Sequence, residues 1–468
     1  MYVFAVENLQ NTWYIGGNLT KMKICLPEKV NTIIKTLQTH GYEAYAVGGC
    51  VRDSLLGRKP EDWDITTSAQ PEETKKLFHR TFDTGIEHGT ITVLLGKEGF
   101  EVTTYRIDGK YEDSRHPSEV QFTRNLKEDL LRRDFTINAM AYNEQDGLVD
   151  IFGGIEDLNR HMIRCVGDAR ARFGEDALRI LRAVRFAAQL DFTIEESTKE
   201  GIKELVPTLA NISAERIQAE LIKMVTSPNP GRIRQAYELG ITKVILPEFD
   251  EMMKTEQETP HHMYNVGEHT LKAMENIRAD KILRLTMLLH DVGKPSMKTI
   301  DKENVAHFKG HEEQGEKIVR SILKRLKFDN DTLRKVTKLT RYHDYRMPAR
   351  MKEVRFAMNK IGEELFPYYM EIRMADTLAQ SNYRRQEKLD NLKGIKECYN
   401  KIIEKKQCVS LKGLAVSGSD LIRLGMKPGK EIGEMLDELL IIVLDDPECN
   451  KKEILEKIIL NKIEERRN

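Results

Sequence analysis

Apolar positions along the chain fall into two regimes. In the first, up to about residue 150, the spacing keeps switching between a strand-like and a helix-like period. Val30, Ile33, Ile34 and Leu37 give residues 27–40 one apolar helical face, and Ala44–Val47 is a short apolar run closed by Gly48-Gly49. Residues 51–56 read as the next helix, while 63–66, 90–95 and 101–106 are β-branched runs that predict strands. Strands with helices between them predict an α/β or α+β head. After Gly153-Gly154 the spacing becomes i, i+3, i+4 almost to the end, predicting helices over 176–190, 214–226, 267–277, 282–290, 310–326 and 333–342. Pro207, Pro228, Pro230 and Pro247 punctuate the connections, and Ser213 offers an N-cap. The apolar runs 283–289 and 439–444 fall well short of the ~18 residues that a membrane-spanning helix needs. The expectation is a small α/β head followed by a long helical part.

Length and charge change this picture little. At about 150 residues per domain, 468 residues predict roughly three units. Lys+Arg and Asp+Glu are equal at 74 each, so any polyanion partner must be met by local clusters, not by overall charge. The six cysteines are scattered without a CxxC pair and read as reduced thiols, which suits the cytoplasm. Residues 1–21 have neither a basic start nor an apolar core, so they read as an optional leader before Met22, without assigned function.

Three groups of residues carry chemistry. In the first, Gly48-Gly49-Cys50-Val51-Arg52-Asp53 sits at a strand-to-helix turn, where glycine lets backbone N–H groups approach a phosphate and Arg52 can add a bidentate grip. A Gly-Gly turn before a helix is also common without a ligand. Asp62-Trp63-Asp64 follows at the start of a predicted strand, whose alternation sets both carboxylates on one face. Adjacent carboxylates repel unless a cation holds them, and oxygen ligands suit Mg²⁺. Glu101, on the 101–106 run, is a candidate third carboxylate.

Gly-Gly-x-Val-Arg-Asp followed by Asp-x-Asp-Ile resembles the polymerase-beta-type nucleotidyltransferases. The subgroup is that of the template-independent class II tRNA nucleotidyltransferases and bacterial poly(A) polymerases. Leu131-Arg132-Arg133-Asp134-Phe135-Thr136-Ile137-Asn138-Ala139-Met140 is similar to another element of that family. The resemblance implies that Gly49, Arg52 and Arg133 hold the triphosphate, and that Asp134 and Asn138 shape the sugar pocket. Asp62 and Asp64 would bind metal and polarise the attacking hydroxyl.

In the second group, Arg179, Arg182 and Arg185 recur every three residues on the 176–190 helix, opposite apolar Leu178, Leu181, Val184 and Phe186. Such a stripe can be a surface salt-bridge face. Glu175-Asp176-x-x-Arg179 also resembles the family's base-reading element. There Asp176 would accept from the exocyclic amine that C and A share, and Arg179 would donate to ring acceptors. Arg182 and Arg185 would hold triphosphate or tRNA phosphate.

In the third group, seven of the twelve histidines fall between His261 and His343. His269, His290-Asp291, His311, His343 and Asp376 resemble the HD phosphohydrolases, which bind divalent metal between packed helices. The resemblance implies a second divalent metal (Ni, Mn, Co or Mg) and an accessory hydrolase activity, with Lys294 able to hold a phosphate.

The segment 105–120 is similar to the flexible loop of enzymes that add all of C, C and A, and 85–90 lacks the poly(A) polymerase signature. Adding A alone remains open on this reading. The tail, beginning Leu414-Ala415-Val416-Ser417, resembles the part that meets the outer half of tRNA, with Lys427, Lys430, Lys451 and Lys452 on backbone phosphate.

The expected fold is thus α+β: a leader 1–21, a nucleotidyltransferase head 22–150, a helical neck 151–235, a body 236–400 with the HD metal site, and a tail 401–468. The expected activity is addition of C, C and A to tRNA from CTP and ATP. The expected partners are the tRNA acceptor end and elbow, ATP and CTP, with no membrane and no DNA. The alternatives are an A-adding or CC-adding enzyme, a poly(A) polymerase, a metal-dependent HD phosphohydrolase with an inactive head, and a non-catalytic tRNA-binding module.

Overall fold

The computed structural model describes residues 23–109 and 120–467. The leader 1–21 and most of the loop 105–120 lie outside the described residues. The chain forms two compact units, divided between Asp168 and Ala169. The division falls beyond residue 150 because 151–168 is bound into the head. Thr136 N donates to Arg164 O at 2.9 Å, and Val166 N to Asp134 O at 3.1 Å. From Ala169 onward the segments read as neck, body and tail fall in the second unit.

In chain order the first unit contains α1 (Glu28–Thr39), β1 (Ala44–Val47), α2 (Gly49–Leu55), β2 (Ile65–Thr67), α3 (Pro71–Leu77), β3 (Thr81–Gly85), β4 (Thr90–Leu95) and β5 (Glu98–Thr104). There follow β6 (Arg106–Asp108), β7 (Val120–Phe122), α4 (Leu126–Leu131), β8 (Met140–Asn143), β9 (Gly147–Asp150) and α5 (Gly154–Asn159). Seven strands form one sheet in the order β3-β4-β5-β2-β1-β8-β9. The apolar run of β1 is explained by its central position: all four residues are buried, as expected for a strand covered on both faces. Val30, Ile33, Ile34 and Leu37 of α1 are buried, as their spacing predicted.

Several expected boundaries move. The strand near the acid pair is Ile65–Thr67, not 63–66, so Asp62 and Asp64 lie in the approach to it, where Asp64 O still accepts from Val47 N of β1 at 3.0 Å. The run expected at 101–106 is two strands, β5 and β6, broken at Tyr105. β3, β8 and β9 were not foreseen. β3 has mostly exposed positions, and the other two are short.

In the second unit, α6 (Ala169–Glu175) and α7 (Leu178–Leu190) replace the single helix expected from 176, and are followed by α8 (Glu196–Leu205) and α9 (Ala214–Val225). Further on, five helices matter to the site: Val266–Glu275, Lys281–Leu289, His311–Arg325, Asn330–Tyr342 and Phe366–Ala379. Three of them begin on a side-chain cap. Asn265 accepts from Glu268 N, Asp280 from Ile282 N and Leu283 N, and Asp329 from Thr332 N. The tail helix Lys430–Asp445 is fastened at its C-terminus by the buried Arg355, which donates to Leu444 O (2.7 Å) and Asp445 O (2.8 Å).

Candidate functional site

In the head, the Gly48 turn, the acid approach to β2 and the bend after α4 belong to one unit. Gly48 has φ +83°, and a Cβ there would meet the Arg133 guanidinium at 3.0 Å. Glycine at this position therefore permits both the turn and the approach of Arg133. The Nε of Arg133 is buried with no hydrogen-bond partner, and its one ion-pair partner among the described residues is Asp129, at 3.6 Å.

Arg52 is engaged within the protein. Its Nε and Nη2 each donate to Asp53 at 2.9 Å and its Nη1 to Asn138 Oδ1 at 2.6 Å. Asn138 Nδ2 in turn donates to Asp134 Oδ1 at 3.1 Å, which also accepts from Phe135 N. Arg52, Asp134 and Asn138 are all buried. The bidentate grip expected from Arg52 is thus directed at Asp53, and the four side chains form a continuous chain beneath the turn that Gly49 begins.

Asp62, Asp64 and Glu101 are exposed. β2 runs parallel to β5 with Ile65 opposite Val102, so one step back along that register brings Asp64 alongside Glu101. Partial desolvation raises the Asp64 pKa, Arg133 opposes this, and the charge of Asp62 adds to the rise. Glu101 is also raised, first by desolvation and then by Asp64 and Asp62. Three carboxylates in mutual repulsion with one nearby cation are suited to divalent metal.

In the second unit, Asp176 sits in the break between α6 and α7 and acts as a cap, accepting from Leu178 N at 3.0 Å. Its other oxygen pairs with Arg216 at 2.7 Å. Arg179 donates to Glu175 at 2.5 Å and to Arg172 O at 2.9 Å. The continuous basic stripe is not present. Arg185 is buried in an ion pair with Glu220 of α9 (2.9 Å) and lies 4.0 Å over the Phe186 ring, whereas Arg182 is half-buried. Arg179 and Arg185 are both buried, with the half-buried Arg182 between them, so the three do not form one exposed face. In the tail, Lys430, Lys451 and Lys452 are paired with Glu434, Glu448 and Asp420 respectively.

The histidines of this unit do converge. His269, His290, Asp291, His311, His343 and Asp376 are all buried. They form two overlapping groups of close ligand atoms, His269–His290–Asp291 and Asp291–His311–His343. Asp291 Oδ2 lies 3.1 Å from His290 Nε2 and 3.8 Å from His269 Nε2. Its Oδ1 faces His343 at 3.4 Å and His311 at 3.6 Å. Asp376 meets His269 at 2.9 Å.

The tautomers are set from behind. The Nδ1 of His290, His311 and His343 donates to Met287 O (2.8 Å), Phe308 O (2.8 Å) and Thr340 O (2.7 Å). A carbonyl can only accept, so each neutral ring keeps its Nε2 lone pair for the cluster. His290 Nε2 and Asp291 Oδ1 are buried without a hydrogen-bond partner, which a bound cation would satisfy. Gly293 makes the approach possible: a Cβ there would stand 2.1 Å from His311 O.

Burial alone would raise the Asp291 carboxyl, but His290 and Lys294 hold it well below the usual range. Asp376 is likewise held down against burial, chiefly by His269. His262, edge-on to His269, is pushed down to about 3 by burial and by the charge of Lys294. A pocket of about 310 Å³ opens onto the cluster, and Lys294 and Lys388 are among its lining residues. Lys294 itself is tied to Asp291 (2.7 Å) and Gln257 (2.8 Å).

Reasoning from sequence missed Asp53, Asp129, Arg216 and Glu220. Asp53 stands in the glycine-turn motif next to Arg52, and Asp129 lies just ahead of the 131–140 element, four residues before Arg133, so an acid at that spacing was an available signal. Arg216 and Glu220 are distant in sequence from their partners and gave none.

Three family models match the chain. "Poly A polymerase head domain" covers residues 44–164, "Probable RNA and SrmB- binding site of polymerase A" covers 191–253, and "tRNA nucleotidyltransferase domain 2 putative" covers 305–459. The CCA-adding enzyme of Enterococcus faecalis is 35% identical over 429 residues, spanning 90% of this chain and 93% of that protein. The CCA-adding enzyme of Lactobacillus helveticus is 53% identical over 211 residues, 45% of this chain, and that match spans about half, 52%, of the relative's length. Among solved structures, the Bacillus stearothermophilus CCA-adding enzyme in complex with CTP has 28% identity and a TM-score of 0.67, covering 93% of this chain and 97% of its own.

Proposed function

This chain belongs to the family of the CCA-adding enzymes, and we infer from that premise that it extends the 3′ end of tRNA with C, C and A, using CTP and ATP and releasing pyrophosphate. The observation that carries the reading is the match to the Enterococcus faecalis enzyme, which runs through nine-tenths of both chains.

Asp62 and Asp64, with Glu101 beside them, are the residues that would hold Mg²⁺. Their fit rests on three neighbouring carboxylates, two of which, Asp64 and Glu101, are raised by desolvation and further by the charges beside them. When bound, the cations would supply activation of the tRNA 3′-hydroxyl and neutralisation of the leaving pyrophosphate. Arg133 meets the triphosphate over the Gly48 turn, and the backbone at Gly49 adds N–H donors. Arg52, fixed by Asp53, orients Asn138, and Asn138 with Asp134 lines the sugar pocket. Asp176 accepts from the amine common to cytosine and adenine, and Arg179 donates to the ring acceptors, so G and U are refused. Arg216 and Glu175 keep these two side chains in position. The tRNA is the nucleic-acid partner, and the enzyme works in the cytoplasm. No helix among the described residues is long and apolar enough to cross a membrane.

A second reading applies to the cluster of the helical unit and is favoured by the sharing of Asp291 between two ligand groups. There His269, His290, Asp291, His311, His343 and Asp376 bind divalent metal, and the pocket takes a phosphate ester for hydrolysis.

The test is to supply tRNA lacking its 3′ end with CTP and ATP and to sequence the tails. The expected product is a complete CCA end. A stop at CC, growth only on tRNA already ending in CC, or a long A tract would each assign one of the narrower activities. Labelling from GTP or UTP as strong as from CTP would refute the role of Asp176 and Arg179.

A further inference from the structure

A buried carboxylate lies next to the Arg133 of the head site. Asp129, on α4, is fully buried, at 0% exposure. An ionised carboxylate in that position is costly unless it is compensated on both oxygens. One oxygen is fully engaged: Oδ1 accepts from Arg132 Nε (3.0 Å) and Nη2 (2.7 Å) and from Arg106 N (3.4 Å). The other, Oδ2, accepts from Thr66 Oγ1 at 3.1 Å and faces Arg133 Nη2 at 3.6 Å. Burial pushes this acid up, but Arg132 and Arg133 outweigh it and leave it below the usual carboxylate range.

The two arginines are therefore held differently. Arg132 spends its fork on Oδ1 and is the structural partner. Arg133 touches Asp129 with one nitrogen only, keeps an unpartnered Nε, and extends over Gly48. Thr66 lies on β2 two residues after Asp64, so Oδ2 ties the arginine to the strand that the catalytic acids lead into.

We propose that Asp129 is a positioning residue for nucleotidyl transfer, whose carboxylate sets the Arg133 guanidinium over the Gly48 turn in register with Asp64. The inference rests on the reading that Arg133 binds the triphosphate. Because that group is common to both substrates, the effect must be the same for CTP and for ATP. This separates it from any role in base choice.

The experiment is steady-state addition by the full chain carrying Asp129→Asn, with CTP on trimmed tRNA and with ATP on tRNA ending in CC. The KM for both nucleotides is expected to rise by about tenfold, by the same factor, a size typical of coupled neighbours. Arg133→Ala is expected to give a similar rise, and the double variant little more than either alone. Asp129→Glu, which keeps the charge, should recover part of the loss. An unchanged KM with only a lower kcat or active fraction, as a purely structural residue would give, overturns the proposal. If that happens while Arg133→Ala still raises KM, the triphosphate reading of Arg133 stands. If Arg133→Ala leaves KM unchanged, that reading fails and takes this one with it. Should Asp129→Asn not fold, Thr66→Val, which removes the hydroxyl bonded to the same oxygen, takes its place. A KM rise of about threefold for both nucleotides is then expected, and no rise overturns the proposal.

Discussion

The molecule has two acid centres built from the same residue type with opposite electrostatics. In the head, Asp62, Asp64 and Glu101 are exposed and opposed by little beyond Arg133, and the pKa values of Asp64 and Glu101 are raised. In the helical unit, Asp291 and Asp376 are buried among four histidines and Lys294, and their pKa values are lowered. Desolvation acts upward on the acids of both centres, and only in the helical unit do neighbouring groups outweigh it. The difference is the supply of counter-charge. The head is left short of positive charge, which suits it to taking up a divalent cation. The helical cluster has its imidazole rings oriented by backbone carbonyls from behind, which suits a resident metal.

The largest test of this contrast is Asp64→Ala. Incorporation of CMP and AMP should fall by at least about a thousandfold, as expected for loss of a catalytic metal ligand. Binding of tRNA should be kept, and metal bound by the helical unit should be unchanged on elemental analysis. A joint loss of incorporation and of that metal would show the two centres to be one system. Next in size, Asp291→Ala should strip the metal from the helical unit. It should also lower stability to urea by about 3 kcal/mol, because Lys294 and the surrounding histidines lose their shared acceptor. Nucleotide addition should stay within about twofold of the unaltered protein, measured under conditions where both remain folded.

The smallest effect sharpens the electrostatic claim itself. With Asp64 raised in the folded state, its contribution to stability is fully present below the unfolded pKa and is lost as pH rises through the folded one. In chelator, Asp64→Asn should therefore match or exceed the original protein above the carboxylate range, by no more than about 0.5 kcal/mol at so exposed a site. Added Mg²⁺ should raise the melting temperature of the original protein and not that of the variant. A variant that is less stable in chelator would mean that Asp64 is satisfied without metal.

Much of both centres was legible along the chain because the spacing is local. Gly48 and Gly49 next to Arg52, the pair Asp62 and Asp64, and His290-Asp291 are neighbours in sequence, so each motif names its chemistry before folding. The neck shows where such reading stops. Arg179, Arg182 and Arg185 look alike at three-residue intervals, yet only the helix packed alongside shows that Arg185 is turned inward onto Glu220. The acid strand failed by a smaller margin, since a three-residue strand is fixed by its neighbours' ladders and not by its own β-branched content.

The sequence by itself determined the periodicities, the glycine turn and the kinds of side chain available, because these depend on covalent neighbours and on helix or strand repeat. Only the tertiary structure decided which charges find partners. Arg185 against Glu220, Asp176 against Arg216, and Asp291 against His343 are brought together from different elements. A carboxylate's ionisation depends on the charges within a few ångströms of it, and those distances do not exist until the chain has folded.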